Sequence, residues 1–127
     1  MNIIENENIV CYDVDDTLVK WPDNYTTPYA PAGTFEYNRK CFTDPYDNSS
    51  NYLIPHEKHI ALLKKHKGRG QFVIVWSAAG VKWAESVVKT LNLESYVDLI
   101  MTKPTKLVDD LPVHEIFPVR IYLKDIK

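Results

Sequence analysis

Directly behind a short apolar run, Ile9-Val10-Cys11-Tyr12, the chain places three carboxylates in four residues: Asp13, Asp15 and Asp16, followed by Thr17 and Leu18. Like charges crowded at the end of a buried strand are costly unless a cation or a proton offsets them. On extended chain, side chains two apart point the same way, so Asp13 and Asp15 share a face. Two oxygen donors converging there suit a hard cation such as Mg²⁺. The same acids could cap a helix or stand in a solvated turn. The apolar strand in front of them argues otherwise, because open α/β sheets take their ligands just outside the carboxyl ends of the strands.

The remaining apolar segments fit such a sheet. Gln71–Trp76 is β-branched and bounded by Gly68 and Gly70 before it and Gly80 after it. Val97–Met101, Lys106–Val108 and Val119–Leu123 are further strand candidates. Continuous apolar runs, rather than alternation, suggest parallel strands covered on both faces. One helix is expected from about Pro55 to Gly68, with Ile60, Leu62 and Leu63 facing inward and Lys64, Lys65 and Lys67 at its negative end. A second is expected from Val81 to Leu91, with Ala84, Val87, Val88 and Leu91 at helical spacing. Strand–helix alternation of this kind predicts an α/β fold in a single domain spanning residues 1–127.

Residues 20–54 interrupt the pattern. They hold eight of the fifteen aromatic residues together with Pro22, Pro28, Pro31 and Pro45. So many aromatics predict an ordered insert, not a linker. A hairpin around Phe35–Phe42 with its turn near Asn38-Arg39 is the expected form. Its aromatics either build a small core against the domain or stay exposed to stack on a base.

Composition narrows the function classes. With 15 Lys and Arg against 17 Asp and Glu, the net charge of −2 argues against a general nucleic-acid binder. No apolar run approaches a membrane span, and MNIIENENIV carries acids where a secretory signal needs basic residues. A cytoplasmic protein without a membrane partner is expected. Two cysteines, Cys11 and Cys41, are too few for a disulfide scaffold, and Cys11 is expected in the core. No GxxxxGKS/T or GxGxxG run supports a P-loop kinase or a dinucleotide-binding enzyme. His56, His59 and His66 are read as a solvated helix face, and Lys64–Arg69 as a solvated helix end.

An apolar strand followed by Asp13-Val14-Asp15-Asp16-Thr17-Leu18 resembles motif I of the haloacid dehalogenase (HAD) superfamily. Phe72–Ser77, a strand ending in a hydroxyl, is similar to motif II; Lys103, with Lys106 as rival, to motif III; and Leu107-Val108-Asp109-Asp110 to motif IV. The four occur in the family's order and cover the chain apart from the insert. The resemblance implies a HAD-like Rossmannoid three-layer sandwich with a mostly parallel five-stranded sheet, the insert serving as a minimal flap.

It also implies an enzyme: a Mg²⁺-dependent phosphatase acting on phosphate monoesters through an aspartyl-phosphate. Asp13 would be the nucleophile and Asp15 the general acid and base. Ser77 and Thr17 would contact the phosphate, and Lys103 would balance its charge. Asp13, the backbone carbonyl of Asp15 and Asp109 would hold the metal, with Asp110 as outer partner. Candidate substrates are phosphorylated small molecules, nucleotides and polynucleotide ends. The alternative is a non-catalytic phosphate- or nucleotide-binding module on the same scaffold. A receiver-type signalling domain fits poorly, since it needs its accepting aspartate on a later strand. One spacing departs from the family's pattern. Lys103 stands six residues before Asp109, whereas a parallel crossover takes a dozen or so. Either the strand around Leu99 is irregular or the lysine segment lies across the sheet's end.

Overall fold

The structure, a computed structural model, describes residues 1–29 and 38–124. In chain order the elements are β1 (Ile9–Asp13), β2 (Val19–Lys20), β3 (Lys40–Thr43), β4 (Ser50–Pro55), α1 (Glu57–Gly68), β5 (Phe72–Ser77), α2 (Val81–Thr90), a 3₁₀ turn at Glu94–Tyr96, β6 (Leu99–Thr102) and the single turn α3 (Val113–Ile116). They form two three-stranded sheets: a parallel sheet in the order β1-β5-β6 and an antiparallel sheet in the order β2-β4-β3. The α/β class expected from the sequence is therefore present. The expected five-stranded parallel sheet is not, for among the described residues it has three strands.

β5 is central because its side chains can be buried from both sides: Val73, Ile74 and Val75 are all buried. Both crossovers, β1 to β5 and β5 to β6, advance in the same direction. Right-handed connections then put α1 and α2 on one face of the sheet. That face carries Tyr12, Val73 and Val75, and it meets Ile60 and Leu63 of α1 and Trp83, Ala84, Val87 and Val88 of α2 in one core. Each Val, Leu or Ile among them, fully buried, contributes roughly 1.5–3 kcal/mol. The alternating residues Ile9, Cys11, Phe72, Ile74 and Trp76 face the other way, and only Ile74 of these is buried. Coverage on both faces is thus complete at the strand centre alone, and Cys11 is half-buried, not in the core.

The described part of the insert contains a hairpin that the sequence did not lead one to expect. β3 and β4 pair antiparallel from Lys40↔Leu53 to Thr43↔Ser50, around a turn at Asp44–Ser49 where Asn48 takes a left-handed φ of 60°. The expected hairpin around Phe35–Phe42 falls partly outside the described residues; Arg39, expected near its turn, donates to the Asn24 and Thr27 carbonyls. Phe35 and Tyr37 lie outside the described residues. Phe42 and Leu53 carry the hairpin into the main core, both fully buried.

α1 starts two residues later than expected. Pro55 ends β4, and His56 is the cap, its ring nitrogen accepting from the His59 amide. α2 spans its expected range, short of Leu91 by one residue. Lys106–Val108 and Val119–Leu123 are not strands. Leu107 is 55% and Val108 100% exposed, and Val119 and Ile121 are exposed as well. After β6 the chain has only residues 103–106 in which to cross the sheet, too few to reach the far edge of β1. Among the described residues no strand pairs with that edge.

One glycine is required by geometry. Gly80, which caps α2, has φ 112°, and a Cβ there would collide with the Tyr46 phenol. Gly80→Ala is expected to cost about 1–3 kcal/mol. A urea midpoint that falls with an unchanged slope would show it; a midpoint unmoved would contradict it.

Candidate active site at the carboxyl end of the parallel sheet

Register brings the acids, the hydroxyl and the lysine to one end of the sheet. Asp13, the last residue of β1, lies opposite Trp76, and Ser77, the last of β5, lies opposite Thr102, the last of β6. Lys103 follows at once, its amide donating to the Ser77 carbonyl at 2.9 Å. Its ammonium stands 3.8 Å from Asp13 Oδ1. Both groups are partly exposed, so the pair adds at most about 1 kcal/mol to stability. Its importance is the placement of a cation from a third strand beside the first acid. Lys103, and not Lys106, makes this pair; Lys106 is exposed in the segment beyond.

A tight loop turns the chain behind β1. The amides of Thr17, Leu18 and Val19 all donate to the Val14 carbonyl, and Asp16 takes a left-handed φ of 58°. Aspartate tolerates that conformation better than most residues. Val14 and Leu18 are buried beneath the loop, so the acids between them are held from below. Thr17 Oγ1 donates to Asp13 Oδ2 at 3.4 Å. Asp15 Oδ1 accepts from two indole N–H groups, Trp21 at 2.8 Å and Trp83 at 3.0 Å. Asp15 Oδ2 faces the Ser77 hydroxyl at 3.5 Å, and Ser77 Oγ accepts from the Ala79 amide at 3.0 Å. Asp16 is exposed and pairs with Lys20.

Asp13, Asp15, Thr17, Ser77 and Lys103 are therefore brought together. Asp109 and Asp110 are not. Both are exposed, and Asp109 accepts from the Leu111 amide in a local turn. Among the described residues no group of three or more His, Cys, Asp or Glu side chains could hold a metal ion. The carboxylates are the right donors for Mg²⁺, but as placed they do not assemble a site for it, because the strand meant to carry Asp109 to Asp13 does not form.

The histidines overturn the expectation of a solvated face. His56 and His59 are buried and stacked, with ring centroids 3.7 Å apart, and His66 is buried against Tyr12. Their bonds assign the tautomers. His56 accepts at Nδ1 from the His59 amide and donates from Nε2 to the Leu123 carbonyl. His59 donates from Nδ1 to the Thr17 carbonyl and accepts at Nε2 from the Leu123 amide. The pair thus ties the loop bearing the acids to α1 and to the C-terminal segment, where Tyr122 also donates to the Asp16 carbonyl. The indoles and these histidines are the partners of the acid-bearing loop that the sequence alone did not reveal. A buried Trp or His needs a partner for its polar atoms, and that demand was the available signal.

Burial pushes the His56 imidazole below its usual range, aided by its neighbour His59 and opposed by the bond to Leu123; His66 is lowered by burial and by Arg69. The unfolded chain then takes up protons near pH 6.5 that the folded chain resists. Stability should be complete above about pH 6.5 and fall as pH drops below it, through the folded values. Urea midpoints at pH 7.5 and 5.5 check this. A midpoint equal or higher at the lower pH would contradict it.

The chain matches no family model, no curated protein and no solved structure. No helix among the described residues is long and apolar enough to cross a membrane.

Proposed function

We propose that this chain is a phosphohydrolase of the HAD-like type, cleaving phosphate monoesters through an aspartyl-phosphate on Asp13. The observation that carries the reading is the Asp13–Lys103 pair at the mouth of the parallel sheet, with Asp15 and Ser77 beside it. Three adjacent strands contribute to it, and the carboxyl end of such a sheet is where ligands bind. The adjacency of acid strand, serine strand and lysine strand also supports a HAD-like Rossmannoid sandwich.

The chemistry follows from these groups. Lys103 attracts the phosphate dianion and offsets its repulsion of the Asp13 carboxylate. An Asp13 oxygen attacks phosphorus, and the ester P–O bond breaks as Asp15 protonates the leaving oxygen. The Ser77 and Thr17 hydroxyls donate to phosphoryl oxygens. Asp15 then takes a proton from the water that attacks the intermediate. Inorganic phosphate leaves and Asp13 is regenerated. Because positioning and charge stabilisation carry most of phosphoryl transfer, few groups are needed. No step is routed through Mg²⁺, since the residues do not assemble its site.

Substrate class is set around the site. An insert of this length is too small for a full cap domain, which suits a nucleotide, a polynucleotide end or a phosphorylated small molecule as substrate. That Asp109 stands apart favours one second reading, a phosphate-binding module without turnover. Release of inorganic phosphate from an aryl phosphate, assayed with and without Mg²⁺, separates the two. Steady release supports the enzyme, whereas phosphate binding without release under either condition supports the module.

A further inference from the structure

We infer that Trp21 and Trp83 are positioning residues that fix which oxygen of Asp15 carries the transferable proton; the role rests on the phosphohydrolase reading. Two indole N–H groups from different parts of the chain end on one atom, Asp15 Oδ1. Trp21 follows β2, and Trp83 lies in the first turn of α2 with only 3% of its surface exposed. Their rings stand 6.0 Å apart, tilted by 43°, so the two donors reach the oxygen from different directions.

An indole N–H can only donate. With two of them directed at Oδ1, a proton on that oxygen would face donors and find no acceptor. The acid form of Asp15 must therefore carry its proton on Oδ2. That oxygen faces the Ser77 hydroxyl and so lies on the side where a phosphate held by Ser77 and Lys103 would sit. Without the indoles the carboxyl could turn about its terminal bond, and half of the acid form would present its proton away from the leaving oxygen. The Trp21 amide adds to the hold on the loop by donating to Asp16 Oδ1 at 3.3 Å.

A proton-placing role differs from mere packing in its dependence on the leaving group. An alkyl phosphate needs its leaving oxygen protonated, whereas an aryl phosphate with an acidic phenol needs this far less. The value of kcat/KM covers the steps up to leaving-group departure, so it isolates the acid role of Asp15. For Trp21→Phe and Trp83→Phe, the loss of kcat/KM on glycerol phosphate should exceed the loss on p-nitrophenyl phosphate by about tenfold or more. Equal losses on both esters would reduce the indoles to packing and overturn the role. Trp21 is half-buried, so its variant tests the claim even where Trp83→Phe does not fold.

A second readout needs no turnover. The chain has three tryptophans, and Asp15→Asn should move the indole N–H resonances of Trp21 and Trp83 while that of Trp76 stays. Unmoved resonances would show that the two bonds do not exist. If the parent chain releases phosphate from neither ester, the phosphohydrolase reading fails and the role with it, even where the resonances move. If the parent is active and the variants lose both esters equally, the positioning role alone fails.

Discussion

Asp13→Asn should reduce phosphate release by at least about a thousandfold, as loss of a covalent nucleophile does in other enzymes, with the fold and its thermal transition retained. The amide keeps the size of the carboxylate and can still accept from Thr17, so the loop behind β1 has no reason to move. Only an exposed-side ion pair with Lys103 is weakened, worth at most about 1 kcal/mol. Loss of turnover with an unchanged circular dichroism spectrum would therefore be chemical in origin. A variant that keeps full activity would remove Asp13 from the nucleophile's role.

The second large effect is on stability. Phe42→Ala should cost about 3–5 kcal/mol, the range for truncating a buried aromatic. Phe42 is fully buried, yet it comes from the insert, and among the described residues its strand pairs only with β4. A loss of that size is a large share of the roughly 5–15 kcal/mol that holds a domain of this kind. Chemical denaturation would show whether the variant still unfolds in one step. A cost below about 1 kcal/mol would mean that the hairpin sits on the surface and is not part of the core. The consequence reaches the site, because the same core underlies Val14 and Leu18, between and beside the acids.

What could be read from the sequence follows from how each signal arises. The β-branched run at 72–76 and the helical spacing of Ala84, Val87 and Val88 are local patterns, and both elements formed close to their expected limits. The convergence of Asp13, Ser77 and Lys103 was legible because each lies at or directly after the end of a strand that the sheet aligns, which Asp109 and Asp110 do not. The hairpin β3–β4 was not, although Asp44-Pro45-Tyr46-Asp47-Asn48-Ser49 is rich in turn-forming residues. Lys40–Thr43 is short and mostly exposed, so it lacks the continuous apolar run that marked the other strands. Pro55 suited a helix start as well as a strand end, and only the pairing with Val19 decides between them.

Lys106–Val108 and Val119–Leu123 show the opposite error. Their apolar composition is that of a strand, but a strand needs a partner edge: the chain after β6 is too short to bring Lys106–Val108 to one, and the Leu123 backbone pairs with the His56 and His59 rings instead of a strand. Histidine was misjudged for a related reason. A polar ring reads as exposed until its nitrogens are given partners, and the partners of His56 and His59 are backbone groups from Thr17 and Leu123, distant in sequence.

The proposed mechanism requires that Asp13 become phosphorylated during turnover. Rapid acid quenching of the chain with an aryl phosphate, followed by peptide mapping by mass spectrometry, tests that directly. A phosphate group on the peptide carrying Asp13, absent from Asp13→Asn, is the predicted result. Steady phosphate release with the label on another residue, or on none, would contradict it.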